Sequence, residues 1–227
     1  MEWKDSNITL PLPKRNELTS LIEQNGVRME VPAKKVFLKP GDTLNGVYYI
    51  AEGRTRHFMC APDGAEKLLY TLSAGWFYGE TPCVLHDSTG LFSKTEKPSV
   101  LYLIPMQNYD RLLAESSLFR KAILQSYSQK MRILRQEIAN LSFTPCKDRL
   151  RRLYCSTADT SRVIAGQWYD LKLNYTQYEI STIVGGARVT ITKLINELCA
   201  EGFIRVLNRK TQINIEQYKQ EIEKDWA

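Results

Sequence analysis

The chain has 227 residues, which is enough for one large domain or two small ones. Its hydrophobic fraction of 43% is ordinary for globular proteins and excludes a chain that is disordered throughout. No run of about 18 apolar residues occurs, which excludes a membrane-spanning helix, and the first residues lack the apolar core of a secretory signal. We therefore expect a cytoplasmic protein with no membrane partner.

The charge is distributed unevenly between the two halves of the chain. Residues 1–117 carry 13 basic and 14 acidic residues, a net charge of −1, and residues 118–227 carry 18 and 11, a net charge of +7. This asymmetry is expected when one domain senses a signal and the other meets a polyanion such as DNA. Uneven charge also occurs on ordinary solvated surfaces, so the interpretation depends on the motifs below.

The cysteines predict no metal site or other cofactor. They are scattered, and none forms a C-x-x-C pair, so neither a zinc ribbon nor an iron–sulfur cluster follows from their spacing. Buried structural thiols are the favoured interpretation, and a redox switch stays open as an alternative. The five residues are Cys60, Cys83, Cys146, Cys155 and Cys199.

The N-terminal half has the pattern of an antiparallel β sandwich or barrel. A short helix is predicted over 18–25, ended by Gly26, and short strands with turn residues follow as far as Pro105. Turns about ten residues apart are typical of such folds. The predicted strands are 36–38, 47–50, 54–60, 67–72 and 100–104, and the turns are K-P-G-D (39–42), A-E-G-R (51–54), P-D-G-A (62–65) and S-A-G-W (73–76).

Two helices are predicted next, over 108–114 and 118–141, and the second is long. Its apolar residues recur at alternating spacings of three and four, which is the narrow stripe of a coiled coil. The pattern therefore predicts dimerisation through this helix, with packing of the same face against the β domain as the alternative. The stripe consists of Leu124, Tyr127, Met131, Leu134, Ile138 and Leu141.

Residues 176–198 have the pattern of a helix-turn-helix, preceded by a linker at 142–145, a helix over 148–158 and a strand over 167–173. The first helix places Ile180, Ile183 and Val184 inward, and Gly185 can end it in the left-handed conformation. The second helix is predicted to bury Ile191, Leu194, Ile195 and Leu198. It exposes Arg188, Val189, Thr190, Thr192 and Lys193, the part that would enter a major groove.

The residues after the second helix predict a β-hairpin. Strands over 202–207 and 212–215 flank N-R-K-T, and a hairpin in this place is a "wing". Arg209 and Lys210 at its tip suit contact with phosphate. An ordinary helical hairpin is the alternative to the helix-turn-helix, but the wing and the basic charge together favour DNA binding. A last helix is predicted over 217–226.

With these motifs the chain resembles the Crp/Fnr family of bacterial transcription regulators. The resemblance rests on K-P-G-D…V-Y-Y-I-A-E-G-R (39–54), P-D-G-A-E-K-L-L-Y (62–70), G-W-F-Y-G-E (75–80), the long helix, and E-I-S-T-I-V-G-G-A-R-V-T-I-T-K-L-I (179–195).

The resemblance implies an α+β fold in three parts. These are an effector-sensing antiparallel β-roll of the cyclic-nucleotide-binding type over 1–117, a dimerisation helix over 118–142, and a winged helix-turn-helix over 143–227. It implies a homodimer that binds double-stranded DNA at a two-fold symmetric site under the control of a small molecule. RNA polymerase is a further expected partner.

The chain departs from the family pattern at its effector motifs. Members that bind cyclic nucleotides follow Gly-Glu with an arginine for the phosphate, and no arginine follows Gly79 and Glu80 here, so we do not expect cAMP. The first cysteine is Cys60, which argues against an N-terminal iron–sulfur cluster. His57 and His86 are weak evidence for haem.

The closest branch in appearance is that of the halorespiration regulators, which sense halogenated phenols. The shared features are D-G-A-E-K-L-L-Y (63–70), Y-S-Q-K (127–130) and a valine in the recognition helix. By this resemblance Lys130 would lie near the effector, an aromatic acid or a phenol, and could stabilise a phenolate by charge, whereas a solvated helix lysine is the alternative. The other candidate effector contacts are Tyr48, Tyr78, Gly79, Cys83, Tyr127 and Met131.

The recognition helix departs from the family's Arg-Glu…Arg pattern, since Arg188, Val189 and Lys193 stand at those positions. Arg188 and Lys193 can donate to guanine, whereas Val189 can only contact a thymine methyl, so we expect an inverted repeat rich in A·T. Thr190 lies on the same exposed part of the helix. We expect Thr176, Gln177 and Ser181 to contact phosphate.

Two alternatives compete with an effector-controlled regulator. An enzyme built on a β-barrel has no support, since no nucleophile–base pair, metal-ligand spacing or phosphate loop occurs. A thiol-switched or ligand-independent regulator of the same fold stays open, with Cys83 as the thiol to watch.

Overall fold

The structure, a computed structural model, describes residues 15–224. These residues form two compact units, 15–137 and 138–224. The elements of the N-terminal unit are α1 Arg15–Asn25, β1 Val27–Val31, β2 Val36–Leu38, β3 Gly46–Cys60, β4 Glu66–Ser73, β5 Phe77–Tyr78, α2 Glu80–Leu85, β6 Phe92–Pro105, α3 Met106–Glu115 and most of α4 Ser117–Phe143.

The N-terminal unit is an antiparallel β-roll, as the sequence predicts. The long strands β3 and β6 pair along most of their length, and the sheet runs in the order β1-β6-β3-β4, with β2 on β6 and β5 on β3. The predicted hairpin at 62–65 joins β3 to β4. Strand β1 and helix α2 were not predicted.

The predicted turn at 51–54 is wrong, because β3 continues through it. The pairing of β3 with β6 shifts register between Ile50 and Arg54, which is the mark of a β-bulge. Gly53 takes a φ of 98°, and a Cβ there would lie 2.1 Å from the Ser99 hydroxyl. A glycine with positive φ serves a bulge as well as a turn, so the sequence pattern could not separate the two.

Helix α4 presents different residues to the β-roll and to solvent. Phe119, Ala122 and Ile123 are buried in the main core, together with Leu18 and Ile22 of α1. Complete burial of a side chain such as Phe119 contributes about 1.5–3 kcal/mol. The short β5 adds Phe77 to this core, and its ring meets that of Phe119 edge to face.

The predicted apolar stripe of α4 lies on the exposed side. Leu124, Met131 and Ile138 are 67%, 55% and 66% exposed, and Tyr127 and Leu141 are also exposed. The alternative in which the same face also meets the β domain is found in part, because Tyr127, Met131 and Leu134 line a cavity beside the β-roll. Only Leu134 is half-buried among the six. Most of the stripe is nevertheless an exposed apolar surface along α4.

The C-terminal unit is a winged helix-turn-helix. Its four-stranded sheet has the order β7-β8-β10-β9. After the end of α4 its elements are α5 Cys146–Thr157, β7 Ala158–Ile164, β8 Trp168–Leu171, α6 Gln177–Val184, α7 Arg188–Ala200, β9 Ile204–Leu207, β10 Lys210–Asn214 and α8 Ile215–Glu223.

The core of this unit joins α5, α6 and α7 to the sheet. Leu150 of α5, Ile191 and Leu198 of α7, and Phe203 and Ile213 are all buried at its centre. Strand β7 was not predicted, since most of its side chains are exposed and show no alternation. The last residues of the predicted terminal helix, 225–226, lie outside the described residues.

The predicted division into three segments stays a prediction. The long helix is one uninterrupted element, and the boundary between the two compact units falls within it, after Glu137. Within residues 15–224, no helix is both long enough and apolar enough to cross a membrane.

Candidate functional site

The first helix of the helix-turn-helix begins with a capping box. The Thr176 hydroxyl accepts a hydrogen bond from the Glu179 amide, and the Glu179 carboxylate accepts one from the Thr176 amide at 2.8 Å. A cap of this kind stabilises the start of a helix by about 1 kcal/mol. The capping box therefore fixes the residue at which α6 begins.

The turn between α6 and α7 is held by an arginine from another helix. Gly185 ends α6 with a φ of 72°, in the left-handed conformation. The Arg149 guanidinium donates to the carbonyl oxygens of Val184, at 2.9 Å, and Gly185, at 3.2 Å. A Cβ on Gly186 would lie 2.9 Å from Cys146 Sγ, so the chain passes close to α5 here. These contacts fix the angle between α6 and α7.

Helix α7 has the two faces that the sequence predicts. Ile191 and Leu198 are fully buried and Ile195 nearly so, while Leu194 is only half-buried. The predicted reading residues project into solvent from its N-terminal turns, and Val189 is 82% exposed. The exposed side chains are Arg188, Val189, Thr190 and Lys193.

Residues that are predicted to contact phosphate also form hydrogen bonds within the protein. The Thr192 hydroxyl of α7 donates to Gln177 Oε1 at 2.9 Å, and Gln177 is otherwise exposed. The Ser181 hydroxyl donates to the Tyr178 carbonyl at 2.7 Å and is only partly exposed. Contact with phosphate stays a prediction for Thr176, Gln177 and Ser181.

The wing is a tight hairpin with basic residues at its end. Asn208 and Arg209 form the turn, with φ of 49° and 63°, the positive values that a two-residue hairpin turn requires. Lys210 pairs with Leu207 as the first residue of β10. Arg209 and Lys210 are both exposed, so their side chains are available to a polyanion.

A cavity of about 240 Å³ lies within the N-terminal unit, between the β-roll, α2 and α4. Five of the predicted effector residues line it, namely Tyr78, Gly79, Tyr127, Lys130 and Met131. The lining residues that sequence reasoning did not assign to an effector site include His57, Tyr70, Glu80 and Ser93. Aromatic and aliphatic walls with a few polar groups are typical of small-molecule sites.

Two of the predicted effector residues do not line this cavity. Tyr48 stands behind its wall, where its ring stacks on that of Tyr78 with 4.8 Å between centroids. Cys83 is buried in the main core, and its thiol donates to the Gly46 carbonyl at 3.2 Å. Both residues are therefore near the cavity in the chain, but the structure does not place either of them in its lining.

The prediction that the cysteine thiols are buried is confirmed only in part. Cys83 is buried, three cysteines are intermediate and Cys60 is exposed. Burial raises the pKa of the Cys83 thiol, which lowers the fraction of reactive thiolate. Among the described residues, no group of three His, Cys, Asp or Glu residues could hold a metal ion.

A buried ion pair forms one end of the cavity. Lys130 Nζ donates to Glu80 Oε1 and Oε2 at 2.6 and 2.7 Å, and to the Phe77 carbonyl at 2.9 Å. Both side chains are almost fully buried. Burial lowers the pKa of the Lys130 ammonium, and the adjacent Glu80 carboxylate acts in the opposite direction. The alternative of a solvated helix lysine is therefore wrong.

His57 is a buried histidine with both ring nitrogens engaged. Its Nε2 lies 2.9 Å from the Thr55 hydroxyl, and its Nδ1 lies 2.9 Å from the Ser93 hydroxyl. Burial, assisted by the positive charge of Lys130, lowers the pKa of His57 to about 3. The imidazole is therefore neutral at physiological pH and acts as a hydrogen-bonded part of the cavity wall.

The pKa of His57 predicts how stability depends on pH. Between pH 6.5, which is the ordinary pKa of histidine, and about pH 3, His57 is protonated in the unfolded chain but stays neutral in the folded state. The stabilisation is complete above pH 6.5 and is lost as the pH falls, by up to about 1.4 kcal/mol per pH unit. Urea unfolding at pH 7 and pH 5 should show a smaller difference for His57→Gln than for the wild type.

His86 provides the matched control for this measurement. It is the second of the two histidines in the sequence and is exposed. His86→Gln should keep the wild-type difference between pH 7 and pH 5. An unchanged difference in His57→Gln would contradict the assignment of a buried neutral imidazole.

Tyr78 carries an unpartnered polar group at the cavity. Its hydroxyl is buried and has no hydrogen-bond partner among the described residues. Burial raises the pKa of Tyr78 well above its usual value, so the phenol stays protonated and can donate. A buried hydroxyl without a partner costs about 1–3 kcal/mol, which a bound acceptor could recover.

A β-roll with an internal cavity, followed by a long helix and a winged helix-turn-helix, defines a class of DNA-binding proteins. Comparison with family models agrees with this architecture. Residues 28–116 match the cyclic nucleotide-binding domain, and residues 148–220 match the Crp-like helix-turn-helix domain. The chain belongs to the Crp/Fnr family of transcription regulators.

Known proteins of this family are similar over most of the chain. The CRP-like cAMP-activated global transcriptional regulator of Mycobacterium tuberculosis is 25% identical over 179 residues, 78% of this chain and 77% of the relative. The Anaerobic regulatory protein of Haemophilus influenzae is 21% identical over 91% of this chain and 79% of its own length.

Solved structures share the fold at low sequence identity. The c-di-GMP responsive global regulator CLP of Xanthomonas campestris superimposes with a TM-score of 0.76 at 19% identity, covering 87% of this chain and 98% of its own. The protein CprK in complex with OCPA gives a TM-score of 0.66 at 19% identity, covering 87% of this chain and 90% of its own. CprK, which belongs to the halophenol-sensing branch, is one of many such neighbours, so assignment to that branch stays a prediction.

Proposed function

We propose that the chain is a homodimeric, sequence-specific DNA-binding regulator that recognises an A/T-rich inverted repeat under the control of a small-molecule effector. The observation that carries the proposal is the N-terminal part of α7. Its side chains Arg188, Val189 and Lys193 are exposed and have no structural role in the C-terminal core. A helix held in this way beside a basic wing has the features of a helix that enters the major groove.

The composition of the reading surface supports an A/T-rich site. Val189 is 82% exposed, although burial would stabilise an apolar side chain. Contact with thymine methyl groups would remove it from water on binding, and a valine cannot accept a hydrogen bond from cytosine N4. Arg209 and Lys210 at the wing add contacts with phosphate, which makes binding sensitive to salt.

The exposed stripe of α4 supports dimerisation. Six apolar residues at heptad spacing, most of them exposed, form a surface that a second copy of the helix would cover. A parallel pair of these helices would place two copies of α7 around a two-fold axis. Such a dimer requires an operator with matching symmetry.

We expect the double variant Leu124→Glu/Ile138→Glu to be monomeric. Both residues are about two-thirds exposed, so the substitutions should leave the fold intact while placing charge in the seam. Affinity for an inverted repeat should fall by about 10²–10⁴-fold, since the two recognition helices no longer bind together. Sedimentation velocity and DNA titration measure the two effects.

Ala139→Glu is the control for the added charge. Ala139 is exposed on α4 but stands outside the seam, so this variant should remain a dimer with wild-type DNA affinity. A wild-type protein that sediments as a monomer, or a double variant that remains a dimer, would exclude the proposed interface.

The cavity suggests how an effector could control the dimer. Tyr127, Met131 and Leu134 belong both to the cavity lining and to the α4 stripe. A ligand that packs against them would change the side chains that carry the contact between protomers. The equilibrium between dimers that bind DNA and dimers that do not would move by the ligand's differential affinity for the two.

The effector we propose is a small aromatic molecule, such as a halogenated phenol, rather than cAMP. Among the described lining residues, no arginine is available for a phosphate, and the side chain of Lys130 is bound to Glu80. The thiol-switched alternative has less support, because Cys83 is buried and hydrogen-bonded. DNA binding with and without oxidant separates the two. Contact with RNA polymerase stays an expectation.

A further inference from the structure

We infer that the cavity of the N-terminal unit selects an uncharged, largely apolar molecule whose hydrogen-bond acceptor is received by the Tyr78 hydroxyl, and that it rejects anions. The inference rests on the proposed effector control and names the chemical class of the effector. Neutral aromatic carbonyl compounds and un-ionised phenols meet these requirements, whereas carboxylates and cyclic phosphates do not.

The lysine at the end of the cavity has no donor left for an anion. An ammonium group has three N–H donors. Lys130 directs its hydrogen bonds to both oxygens of Glu80 and to the Phe77 carbonyl. An incoming carboxylate would have to displace Glu80, which would then be buried without a partner.

The ion pair also contributes no net charge to the cavity. Whether the proton resides on Lys130 or on Glu80, the sum of the two charges is zero. The Ser126 hydroxyl stands 3.4 Å from Glu80 Oε1 as a further neutral donor. An anion in the cavity would therefore lose its hydration without meeting a net positive charge.

The other titratable groups of the lining give no positive charge either. His57 and Tyr78 are buried and Tyr70 is partly buried, and desolvation shifts the pKa of each in the direction that favours its neutral form. Asp87 is the remaining acidic residue among the described lining residues, and it adds negative charge. The electrostatic environment is neutral to negative, which excludes an anion more strongly than a neutral molecule.

One further polar group of the lining fits a neutral acceptor. The Tyr78 hydroxyl is buried at the cavity without a partner, and the adjacent ring of His57 lies 4.9 Å from the Tyr78 ring. Both nitrogens of His57 are already used by hydroxyl groups. Tyr78 is thus the buried donor that we assign to a ligand carbonyl or phenol oxygen, and Leu69, Leu91 and Met131 are among the apolar residues that line the same cavity.

Fluorine NMR titration of the full chain tests the inference with two probes of similar size. We expect 4-fluoroacetophenone to bind saturably and 4-fluorophenylacetate, its anionic counterpart, to show no saturable binding. Tyr78→Phe should weaken binding of 4-fluoroacetophenone by about 2–12-fold, the effect of one hydrogen bond. The thermal midpoint of the variant shows whether it folds.

Glu80→Gln is the second variant, and it should reverse the preference of the cavity for a neutral ligand. Without the Glu80 carboxylate, the Lys130 amine is free to pair with the carboxylate of a ligand, so this nearly isosteric variant should bind 4-fluorophenylacetate in preference to 4-fluoroacetophenone. Tighter binding of 4-fluorophenylacetate or cAMP by the wild type would overturn the inference. Absence of binding by both fluorinated probes would overturn it as well.

The proposed function and this inference can fail separately. If 4-fluoroacetophenone binds through Tyr78 but leaves the affinity for an inverted repeat unchanged, the cavity chemistry stands and its role as an effector site is rejected. If neither probe binds while the protein still recognises an inverted repeat, the inference is rejected and the DNA-binding proposal stands.

Discussion

Lys130→Met is expected to lower the free energy of unfolding of the N-terminal unit by about 3–5 kcal/mol. The substitution preserves most of the apolar stem of the side chain but leaves the Glu80 carboxylate buried with only the Ser126 hydroxyl nearby. Removal of one member of a buried pair is far more destabilising than removal of both. Urea unfolding, with hydrogen exchange of β3 and β6 amides to localise the change, measures the effect.

The double variant Glu80→Gln/Lys130→Met is the control for this interpretation. It removes both charges, so it should recover most of the stability that Lys130→Met loses. The coupling free energy from the complete cycle should be large, because the two groups lie 2.6 Å apart. Additive effects of the two single substitutions would show that the pair does not stabilise the fold.

Arg188→Ala is expected to weaken binding of the preferred DNA site by about 5–150-fold, or about 1–3 kcal/mol. Arg188 is the first residue of α7 and is exposed, so its loss should leave the unit folded. The same variant should lose discrimination at one base position in each half-site, since the side chain is proposed to donate to a guanine edge. Fluorescence-anisotropy titrations with matched and single-substituted sites measure both effects.

Substitution of two further arginines distinguishes recognition of bases from a general effect of positive charge. Arg209→Ala at the wing should weaken all sequences equally and reduce the salt dependence, because phosphate contacts carry no sequence information. Arg28→Ala removes an exposed charge from the N-terminal unit and should change little. If Arg188→Ala behaves like Arg28→Ala, the assignment of α7 as the reading helix is wrong.

The DNA-binding unit was predictable because its signals are local. The glycine that ends α6 and the apolar residues of α7 are fixed by helical periodicity, and the capping box lies within four residues of sequence. Periodicity could not predict the role of Arg149, since its contact with the turn spans 35 residues of sequence. Strand β7 was missed because its exposed side chains give no alternating pattern.

The cavity was only partly predictable because it is assembled from distant segments. Lys130 and Glu80 are 50 residues apart, and His57 meets Ser93 across the β3–β6 ladder. The resemblance placed Lys130 near the effector. It did not predict that Glu80, which is adjacent in space, accepts hydrogen bonds from the Lys130 ammonium. Neither did any pattern show that the thiol of Cys83 would face the core. Such pairings depend on sheet register and bulges, which the sequence specifies only weakly.

Selection of sites from random double-stranded DNA, with the wild type and Val189→Glu in parallel, tests most directly whether α7 reads an operator as part of a dimer. The wild type should enrich an inverted repeat with A/T-rich half-sites. In Val189→Glu one position in each half-site should change toward C·G, because the new carboxylate can accept from cytosine N4. Enrichment of no inverted repeat by the wild type, or the same profile from both proteins, would contradict the proposal.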